Sequence, residues 1–301
     1  NKTSMLQVNQ LSFSYQHKPV LTDISFSLET GKSLAIIGES GCGKSTLLRL
    51  VYGLLDADSG TVFWNGQPVT GPKFNLIPGM DSMKYLPQDF DLMPYVTVAE
   101  NVGKFLSNIY AQEKKKRVDE LLELVEMSEF AHTKAKFLSG GQMQRVALAR
   151  VLALEPELVL FDEPFSHIDN FRKNHLRRRI FSYLKQRNIS CMIATHDRAD
   201  ILGYTDQTLV IKDAQMLALG SSEDVFRNPV NQYVASLYEE VSSLPAEALG
   251  LAVKDKSEVL VYPFQLRVVT QSLCPVRVVQ SYFRGHVYLV EARFFDRTIF
   301  F

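Results

Sequence analysis

The sequence has few cysteines and no surplus of either charge. Cys42, Cys191 and Cys274 are its three cysteines, and their spacing fits neither a disulfide framework nor a metal site. This scarcity excludes a small disulfide-stapled secreted domain and indicates a reducing compartment. The 33 basic residues balance the 33 acidic ones, so composition gives no electrostatic reason to expect a nucleic-acid partner.

Long apolar runs, internal repeats and low-complexity tracts are also lacking. No stretch approaches the roughly 20 apolar residues that a membrane-spanning helix needs, and no signal-peptide pattern opens the chain. We therefore expect a soluble, cytoplasmic protein whose contact with a membrane comes through a partner. Two basic runs, at residues 114–117 and 177–179, lie beside acidic residues in helical stretches and are interpreted as solvated helix faces.

The chain does contain an alternation of short apolar strands with helices. Two strands are predicted within residues 5–28, and the continuous apolar runs SLAIIG, ELVLFD and SCMIAT predict strands buried on both faces. Between about residues 90 and 154 the pattern becomes helical, which indicates a helical insert in an α/β domain. The predicted organisation is a sheet domain at 1–240, a linker at 241–250 and a small β-rich domain at 251–301.

The stretch GESGCGKST, residues 38–46, follows the run SLAIIG directly and opens a predicted helix. It matches the P-loop pattern Gly-x-x-x-x-Gly-Lys-Ser. Its small residues let backbone N–H groups converge on the phosphates of a nucleotide, and the helix adds its positive N-terminal end. Lys44 is predicted to reach the β- and γ-phosphates, and the Ser45 hydroxyl to bind Mg²⁺.

Three further polar side chains follow predicted buried strands. Asp162 and Glu163 end the run ELVLFD, and His196 follows the run SCMIAT. Because parallel α/β sheets present ligands at the carboxyl ends of their strands, we expect these side chains to face the nucleotide. Asp162 suits Mg²⁺, and Glu163 is placed to orient or deprotonate the attacking water. His196 is predicted to hydrogen-bond a γ-phosphate oxygen.

Two other candidates carry a weaker signal. Gln88 stands where the sheet domain gives way to the helical insert, where its amide can contact Mg²⁺ or the attacking water. Tyr15 follows the first strand, and its ring is either an ordinary strand aromatic or a platform for a purine base. Plain alternatives stay open for the rest: solvated turn carboxylates for Asp162 and Glu163, and a structural role for His196.

A second glycine-rich turn, LSGGQMQR at residues 138–145, also opens a predicted helix. It is the signature that separates the ATP-binding-cassette (ABC) ATPases from other P-loop proteins, and the chain resembles that family over residues 5–237. In this family two cassettes meet head to tail, and each signature loop faces the γ-phosphate held by the other subunit. The resemblance thus implies a homodimer, in which the residues contacting the partner's ATP are Ser139, Gly140, Gly141 and Gln142.

The same resemblance implies roles for the other candidates. The residues implied in holding ATP are Tyr15, Gly38, Glu39, Ser40, Gly41, Cys42, Gly43, Lys44, Ser45 and Thr46. Those implied in catalysis are Lys44, Gln88, Glu163 and His196, and those implied in binding Mg²⁺ are Ser45, Gln88 and Asp162. The tetrapeptide SHID at 166–169 occupies the D-loop, which crosses the dimer interface. Asp169 is in place there, although the family more often has Ala-Leu where this chain has His167 and Ile168.

Two segments resemble the importer branch of the family. The stretch DLMPYVTVAENV, residues 91–102, resembles the segment that docks a coupling helix of the membrane permease. Its candidate contacts, which alternatively pack within the insert, are Leu92, Met93, Tyr95 and Val96. The tail resembles the start of the TOBE-type β domain of ferric-iron, polyamine, sulfate and sugar importers. Whether that domain is abbreviated or completed elsewhere in the dimer stays open.

The expected fold is therefore an α/β P-loop NTPase (RecA-like) ABC cassette. It carries an antiparallel β subdomain, a helical insert and a small OB/TOBE-like β domain. The expected function is that of the ATP-hydrolysing subunit of a solute importer, with ATP and Mg²⁺ as cofactors. Its expected partners are a second copy, a permease and an external solute-binding protein, at the inner face of the membrane. The alternatives are an ABC exporter ATPase and a soluble ABC ATPase that acts on nucleic acid or ribosomes.

Overall fold

The structure is a computed structural model that describes residues 5–75, 77–251 and 258–301. The chain divides into two compact units, Asn1–Ser222 and Glu223–Phe301. The predicted domain boundaries stay a prediction. Within the expected linker at 241–250, however, the structure has a strand at Ser242–Pro245 and a 3-10 turn at Ala246–Leu249.

The first unit holds ten strands, six α-helices and two short 3-10 helices, Ser128–Phe130 and Ala135–Phe137, in its described part. Its strands are β1 (Met5–Tyr15), β2 (Lys18–Glu29), β3 (Ser33–Ile37), β4 (Ser59–Trp64), β5 (Gln67–Pro68), β6 (Met83–Leu86), β7 (Leu158–Asp162), β8 (Ser190–Ala194), β9 (Gln207–Lys212) and β10 (Gln215–Ser221). Its helices are α1 (Lys44–Tyr52), α2 (Val98–Val102), α3 (Ala111–Leu124), α4 (Gly140–Leu152), α5 (Asn170–Gln186) and α6 (Arg198–Tyr204). No helix within the described ranges has both the length and the hydropathy to cross a membrane.

A six-stranded sheet forms the centre of this unit, with the strand order β10-β9-β3-β8-β7-β6. All neighbouring strands from β9 to β6 pair in parallel, and β10 pairs antiparallel to β9. Every residue of β7 and of β8 is buried, because a parallel sheet is covered on both faces and its strands are continuous apolar runs. The carboxyl ends of β3, β8, β7 and β6 therefore meet at one edge.

A second sheet, antiparallel, has the order β2-β1-β4-β5 and confirms the predicted antiparallel subdomain. The side chains along its strands alternate between the two faces of the sheet. Leu6 and Val8 are buried and Gln7 between them is exposed, as the two-residue period of a strand requires. Trp64 lies in the core that this sheet shares with α1 and the central sheet. Its indole N–H donates to the Ser82 hydroxyl at 3.0 Å, so its polar atom is satisfied.

The helical insert lies between β6 and β7, as predicted, and consists of α2, α3 and α4. Thr97 and Glu100 form a capping box that starts α2, which satisfies backbone N–H groups left free by the first turn. Helix α4 packs against α2, α3 and β6. Arg117 of α3 donates to the carbonyl of Leu152 at 2.8 Å and so caps the last turn of α4.

The interpretation of residues 177–179 as a solvated face is wrong for Arg177, which is 1% exposed. Its guanidinium donates to Asp200 and, at 2.7 Å, to a carboxylate oxygen of Asp197. Burial alone would raise the pKa of Asp197, but the amide of Ala199 and the charge of Arg177 together lower it. A buried charge requires such partners, and these carboxylates lie 20 or more residues away along the chain.

The second unit is small and rich in antiparallel strands, which agrees with the predicted small all-β domain. Its described helices and strands are α7 (Ser222–Arg227), which begins at the boundary, α8 (Gln232–Ser236), β11 (Ser242–Pro245), β12 (Glu258–Val261), β13 (Arg277–Phe283), β14 (Tyr288–Phe294) and β15 (Arg297–Phe300). β11 pairs with β12, and β13, β14 and β15 form a three-stranded sheet. The apolar core of this unit consists of Leu244, Val261, Ala292, Phe294 and Ile299.

Replacing a core leucine of the central sheet tests this packing. Leu160 of β7 is fully buried, and we expect Leu160→Ala to lower the free energy of unfolding by about 2–5 kcal/mol through lost transfer energy and a residual cavity. Urea unfolding followed by the fluorescence of Trp64, the single tryptophan, reports on the first unit. The matched control is Leu219→Ala on β10, where the leucine is 41% exposed and the expected loss is under about 1 kcal/mol. Equal losses in the two variants would contradict the described core.

Candidate functional site

The candidate site lies at the edge of the central sheet where β3, β8, β7 and β6 end. The P-loop follows β3, and His196 follows β8. Asp162 is the last residue of β7, Glu163 comes directly after it, and Gln88 follows β6. Each of these strands is the parallel neighbour of the next. The structure thus brings together residues that are widely separated in the sequence, at the position where open α/β sheets bind ligands.

The P-loop has a backbone shape that depends on glycine at two positions. Gly38 has a φ of 150° and Gly43 a φ of 107°, values at which a side chain is strained. A Cβ atom on Gly38 would lie 2.3 Å from the Ile211 carbonyl oxygen, and one on Gly43 would lie 2.9 Å from that of Val20. The loop is therefore packed tightly on β9 and β2, and it leads directly into α1, whose N-cap is Gly43.

Lys44 lies with its ammonium group inside the curve of the loop. Its Nζ donates to the carbonyl oxygens of Gly38 and Glu39 at 2.8 and 2.9 Å. Burial raises the pKa of the neighbouring Cys42 thiol, against the opposing charge of Lys44, so that thiol stays neutral. The loop therefore presents one positive side chain together with the N-terminal end of α1, an arrangement suited to anionic phosphates.

Asp162 is 2% exposed and both of its carboxylate oxygens are engaged. Oδ1 accepts the Ser45 hydroxyl at 2.9 Å, and Oδ2 accepts the Tyr85 hydroxyl at 3.2 Å. Burial, together with the charge of Asp162, raises the pKa of Tyr85 to about 12, so the phenol keeps its proton and donates. The contact with Ser45 joins the start of α1 to the end of β7. It also sets a carboxylate and a hydroxyl side by side, which are hard oxygen ligands of the kind that Mg²⁺ prefers.

Glu163 and His196 form a pair beside this aspartate. The imidazole Nδ1 of His196 lies 2.8 Å from Oε1 of Glu163. The histidine side chain is 74% exposed and that of the glutamate 17%. Glu163 has a φ of 51°, a left-handed conformation that a residue with a side chain rarely adopts. Its amide donates to the carbonyl of Ala194 at 2.9 Å, which ties the turn after β7 to the end of β8.

The signature begins helix α4 with a complete capping box. The Ser139 hydroxyl accepts the amide of Gln142 at 3.3 Å, and Oε1 of Gln142 accepts the amide of Ser139 at 2.8 Å. Gly141 lies so close to the D-loop that a Cβ atom on it would be 2.7 Å from the His167 carbonyl oxygen. The signature is therefore packed against the segment that follows β7, and Gly140 precedes this contact.

The remaining sequence candidates lie at the surface. Tyr15 is the last residue of β1 and is 44% exposed. Its ring makes an edge-to-face contact with the ring of Phe13, with 4.7 Å between the ring centroids. Gln88 is exposed just past β6, and Asp169 is the N-cap residue of α5. The specific roles assigned to these and the other site residues stay predictions.

Sequence reasoning assigned no role to three residues that the structure adds to the site. Tyr85 donates to Asp162, and Gln144 and Ser166 both donate to the carbonyl of Glu163. The signal for Gln144 was its place in the signature at 138–145, and the signal for Ser166 was its place in the D-loop stretch at 166–169. For Tyr85 the pattern offered none, since an aromatic residue in a strand is ordinary.

A family model for the ABC transporter matches residues 21–166 of the chain. Among similar curated proteins, the Fe(3+) ions import ATP-binding protein FbpC 2 of Pectobacterium atrosepticum is 36% identical over 247 residues, which are 82% of this chain and 71% of that protein. The protein of the same name from Haemophilus influenzae is 32% identical over 305 residues, 95% of this chain and 85% of that one. This chain belongs to the ABC transporter ATP-binding family.

Solved structures agree with this assignment. The cbiO1 protein of Clostridium perfringens, part of the ABC transporter complex cbiONQ, matches with a TM-score of 0.65 at 28% identity over 75% of this chain and 92% of that one. The cassette MJ0796, in a dimeric state with ADP and Pi, matches with a TM-score of 0.64 over 72% of this chain and 98% of that one; at 24% identity it shows the fold alone. The predicted fold class and the prediction of an ATPase are confirmed.

Removing the Tyr85 hydroxyl tests its contribution to this ABC ATPase. We expect Tyr85→Phe to lower kcat/KM for ATP about 3- to 10-fold, because Asp162 loses one of its two hydrogen bonds, worth on the order of 1 kcal/mol. Steady-state ATP hydrolysis measures the change. The control is Tyr110→Phe, at a tyrosine 61% exposed beside α3, where no change is expected. A kcat/KM for Tyr85→Phe equal to that of the wild type would show that Ser45 alone suffices to hold Asp162.

Proposed function

We propose that this ABC ATPase is the energy-coupling subunit of a membrane importer and that its cargo belongs to the ferric-iron class. The observation that carries the catalytic part is the convergence of the P-loop, Asp162 and the Glu163–His196 pair at one sheet edge. The import part is supported by relatives that are named as Fe(3+) import proteins at 32–36% identity. The small β unit at the end of the chain supports it further.

Each side chain at the sheet edge has a definite task in this proposal. The amides of the P-loop and the Lys44 ammonium bind the β- and γ-phosphates, and the ring of Tyr15 stacks on the base. Ser45, Asp162 and Gln88 hold Mg²⁺ in this proposal; when bound, the ion offsets negative charge on the phosphates. The oxygen donors of Ser45 and Asp162, 2.9 Å apart, fit that ion.

The hydrolytic step falls to Glu163 and His196. The Glu163 carboxylate, as a general base, accepts a proton from the water that attacks the γ-phosphorus. The bond from that phosphorus to the β–γ bridging oxygen breaks, and ADP leaves. The imidazole, 2.8 Å from that carboxylate, orients it and offers its other ring nitrogen to a γ-phosphate oxygen. Since the histidine side chain is 74% exposed, it can report on the presence of the γ-phosphate without a large rearrangement.

The proposed working unit is a head-to-tail dimer of this chain. The first turn of α4 presents the backbone N–H groups of Gly140 and Gly141 and the positive end of a 13-residue helix, which suits a γ-phosphate held by the partner. Asp169 is proposed to lie in the same dimer interface, because the D-loop that carries it packs against Gly141. Two chains then complete two sites.

The proposed permease contact is the segment before α2. Tyr95 is 71% exposed, whereas Leu92, Met93 and Val96 are partly buried. The Asn101 side chain holds this segment, accepting the amide of Met93 at 2.8 Å and donating to its carbonyl at 3.1 Å. A fixed segment with one exposed aromatic ring is suited to receive a permease helix. Attachment there would hold the protein at the inner membrane face, in a system that also includes an external solute-binding protein.

Glu163→Gln tests the catalytic assignment. We expect kcat to fall at least about 100-fold because the general base is lost, while ATP binding and the ATP-dependent dimer persist. ATP hydrolysis and size-exclusion chromatography at saturating MgATP measure the two properties. Glu113→Gln, on the exposed first turn of α3, is the matched control with unchanged kcat. A Glu163→Gln protein that stays strictly monomeric would count against the head-to-tail dimer, and one that hydrolyses ATP normally would remove Glu163 from the mechanism.

Recovery of the protein from its native membranes tests the transport assignment. A tagged chain, purified from detergent-solubilised membranes, is expected to retain a multi-span permease that mass spectrometry identifies. In proteoliposomes that contain this complex, ATP-dependent uptake of Fe³⁺ is expected to exceed uptake of sulfate or a polyamine, and a Glu163→Gln complex is the control. Recovery with ribosomes or DNA enzymes instead would overturn the importer proposal, and uptake of sulfate or polyamine would overturn the cargo class.

A further inference from the structure

Gln144, on the second turn of α4, is 2% exposed and engages the segment that follows β7 with both ends of its amide. Its Nε2 donates to the carbonyl of Glu163 at 2.9 Å, and its Oε1 accepts the amide of His167 at 3.0 Å. We propose that Gln144 is a positioning residue that holds Glu163 in its reactive orientation and couples it to the signature. The proposal rests on the proposed catalytic role of Glu163.

The backbone of Glu163 explains why such a residue is needed. With a φ of 51°, the glutamate holds a conformation that persists only when the surrounding structure determines it. Its amide is fixed by Ala194 of β8. Its carbonyl accepts two side-chain donors, the Gln144 amide and the Ser166 hydroxyl at 3.0 Å, and also the backbone amide of Ser166 at 3.3 Å. The direction of the Glu163 side chain, and hence its 2.8 Å contact with His196, follows from these constraints.

The chemistry of the contact selects glutamine at position 144. A carbonyl and an N–H group must be satisfied together at a partly buried position, and an amide side chain offers both a donor and an acceptor at suitable separation. A carboxylate at this position would set an acceptor against the Glu163 carbonyl. An apolar side chain would leave the His167 amide without this partly buried partner, which is unfavourable.

The same contact links the signature at the start of α4 to the segment that carries Glu163. Ser139 and Gly140 start α4, and Gln144 follows about one turn later on the same rigid helix. Gly141 adds a backbone contact, since even a Cβ atom there would lie 2.7 Å from the His167 carbonyl oxygen. Displacement of the signature by the partner's nucleotide must therefore move the segment 163–167. Gln144 thereby makes the Glu163 of one site sensitive to occupancy of the other.

Gln144→Met, with a side chain of similar length and no amide, tests the proposal in the full-length chain. We expect kcat for ATP hydrolysis to fall about tenfold, which corresponds to about 1.4 kcal/mol, with KM for ATP changed less than about twofold. Rates are expressed per nucleotide-binding site, titrated with a fluorescent ATP analogue, so that a loss of folded protein does not enter kcat. Gln186→Met, at the exposed end of α5, is the matched control and should keep the wild-type kcat.

A second pair of variants acts on the other side-chain donor to the same carbonyl, the Ser166 hydroxyl. Ser166→Ala is expected to lower kcat about threefold, since one of the two side-chain hydrogen bonds to the Glu163 carbonyl is lost, and Ser166→Thr, which keeps the hydroxyl, should restore most of it. If Gln144→Met failed to fold, this pair would decide the question. Equal kcat values for Ser166→Ala and Ser166→Thr would then overturn the proposal.

The outcomes separate this proposal from the proposed function on which it rests. A wild-type kcat in Gln144→Met, while Glu163→Gln is inactive, would overturn the positioning role alone. Normal hydrolysis by Glu163→Gln would overturn the catalytic role of the glutamate and the positioning proposal with it. A rise in KM with unchanged kcat would also overturn the proposal, because it would place the effect of Gln144 on ATP binding rather than on the reacting group.

Discussion

The parallel pairing of β3, β8, β7 and β6 is the constraint on which the rest of the structure depends. It brings the ends of four strands to one edge, although the strands come from residues 33 to 194 of the chain. The P-loop, Asp162, Glu163 and His196 are functional neighbours only because of that pairing. The apolar runs that bury β7 and β8 on both faces are therefore the basis of the catalytic geometry as well as of stability.

Buried polar contacts add the precision that apolar packing lacks. Asp162 is held from two sides, by Ser45 and Tyr85. The His196 segment is fixed from behind, where Arg177 of α5 bonds to Asp197 and Asp200. Burial raises the pKa of Asp200, while Thr195 and Arg177 act against that change. Each network is satisfied within the fold, and each lies next to a residue with a proposed role, so rigidity is concentrated around the site.

The sequence predicted the features that depend on neighbouring residues, and it did not predict those that depend on contacts between residues far apart in the chain. The strands, the P-loop and the helical insert were predictable because their patterns repeat every few residues or stand in one short stretch. The prediction that residues 177–179 form a solvated face was wrong for Arg177, because its carboxylate partners lie at the start of another helix, α6. The expected linker at 241–250 contains β11, whose partner β12 begins at Glu258. A four-residue strand paired across such a distance has no local signature.

By itself the sequence determined the class of this protein: a phosphate loop of fixed spacing, two carboxylates at the end of a buried strand, and the signature stretch of an ABC ATPase. Those motifs act through backbone shape, which local residue types specify. Tertiary structure alone decided that Tyr85 would hold Asp162, and that Gln144 would hold Glu163 across 19 residues of chain. The packing of strands and helices determines which groups pair in such a hydrogen bond. No regular spacing in the sequence predicts that pairing.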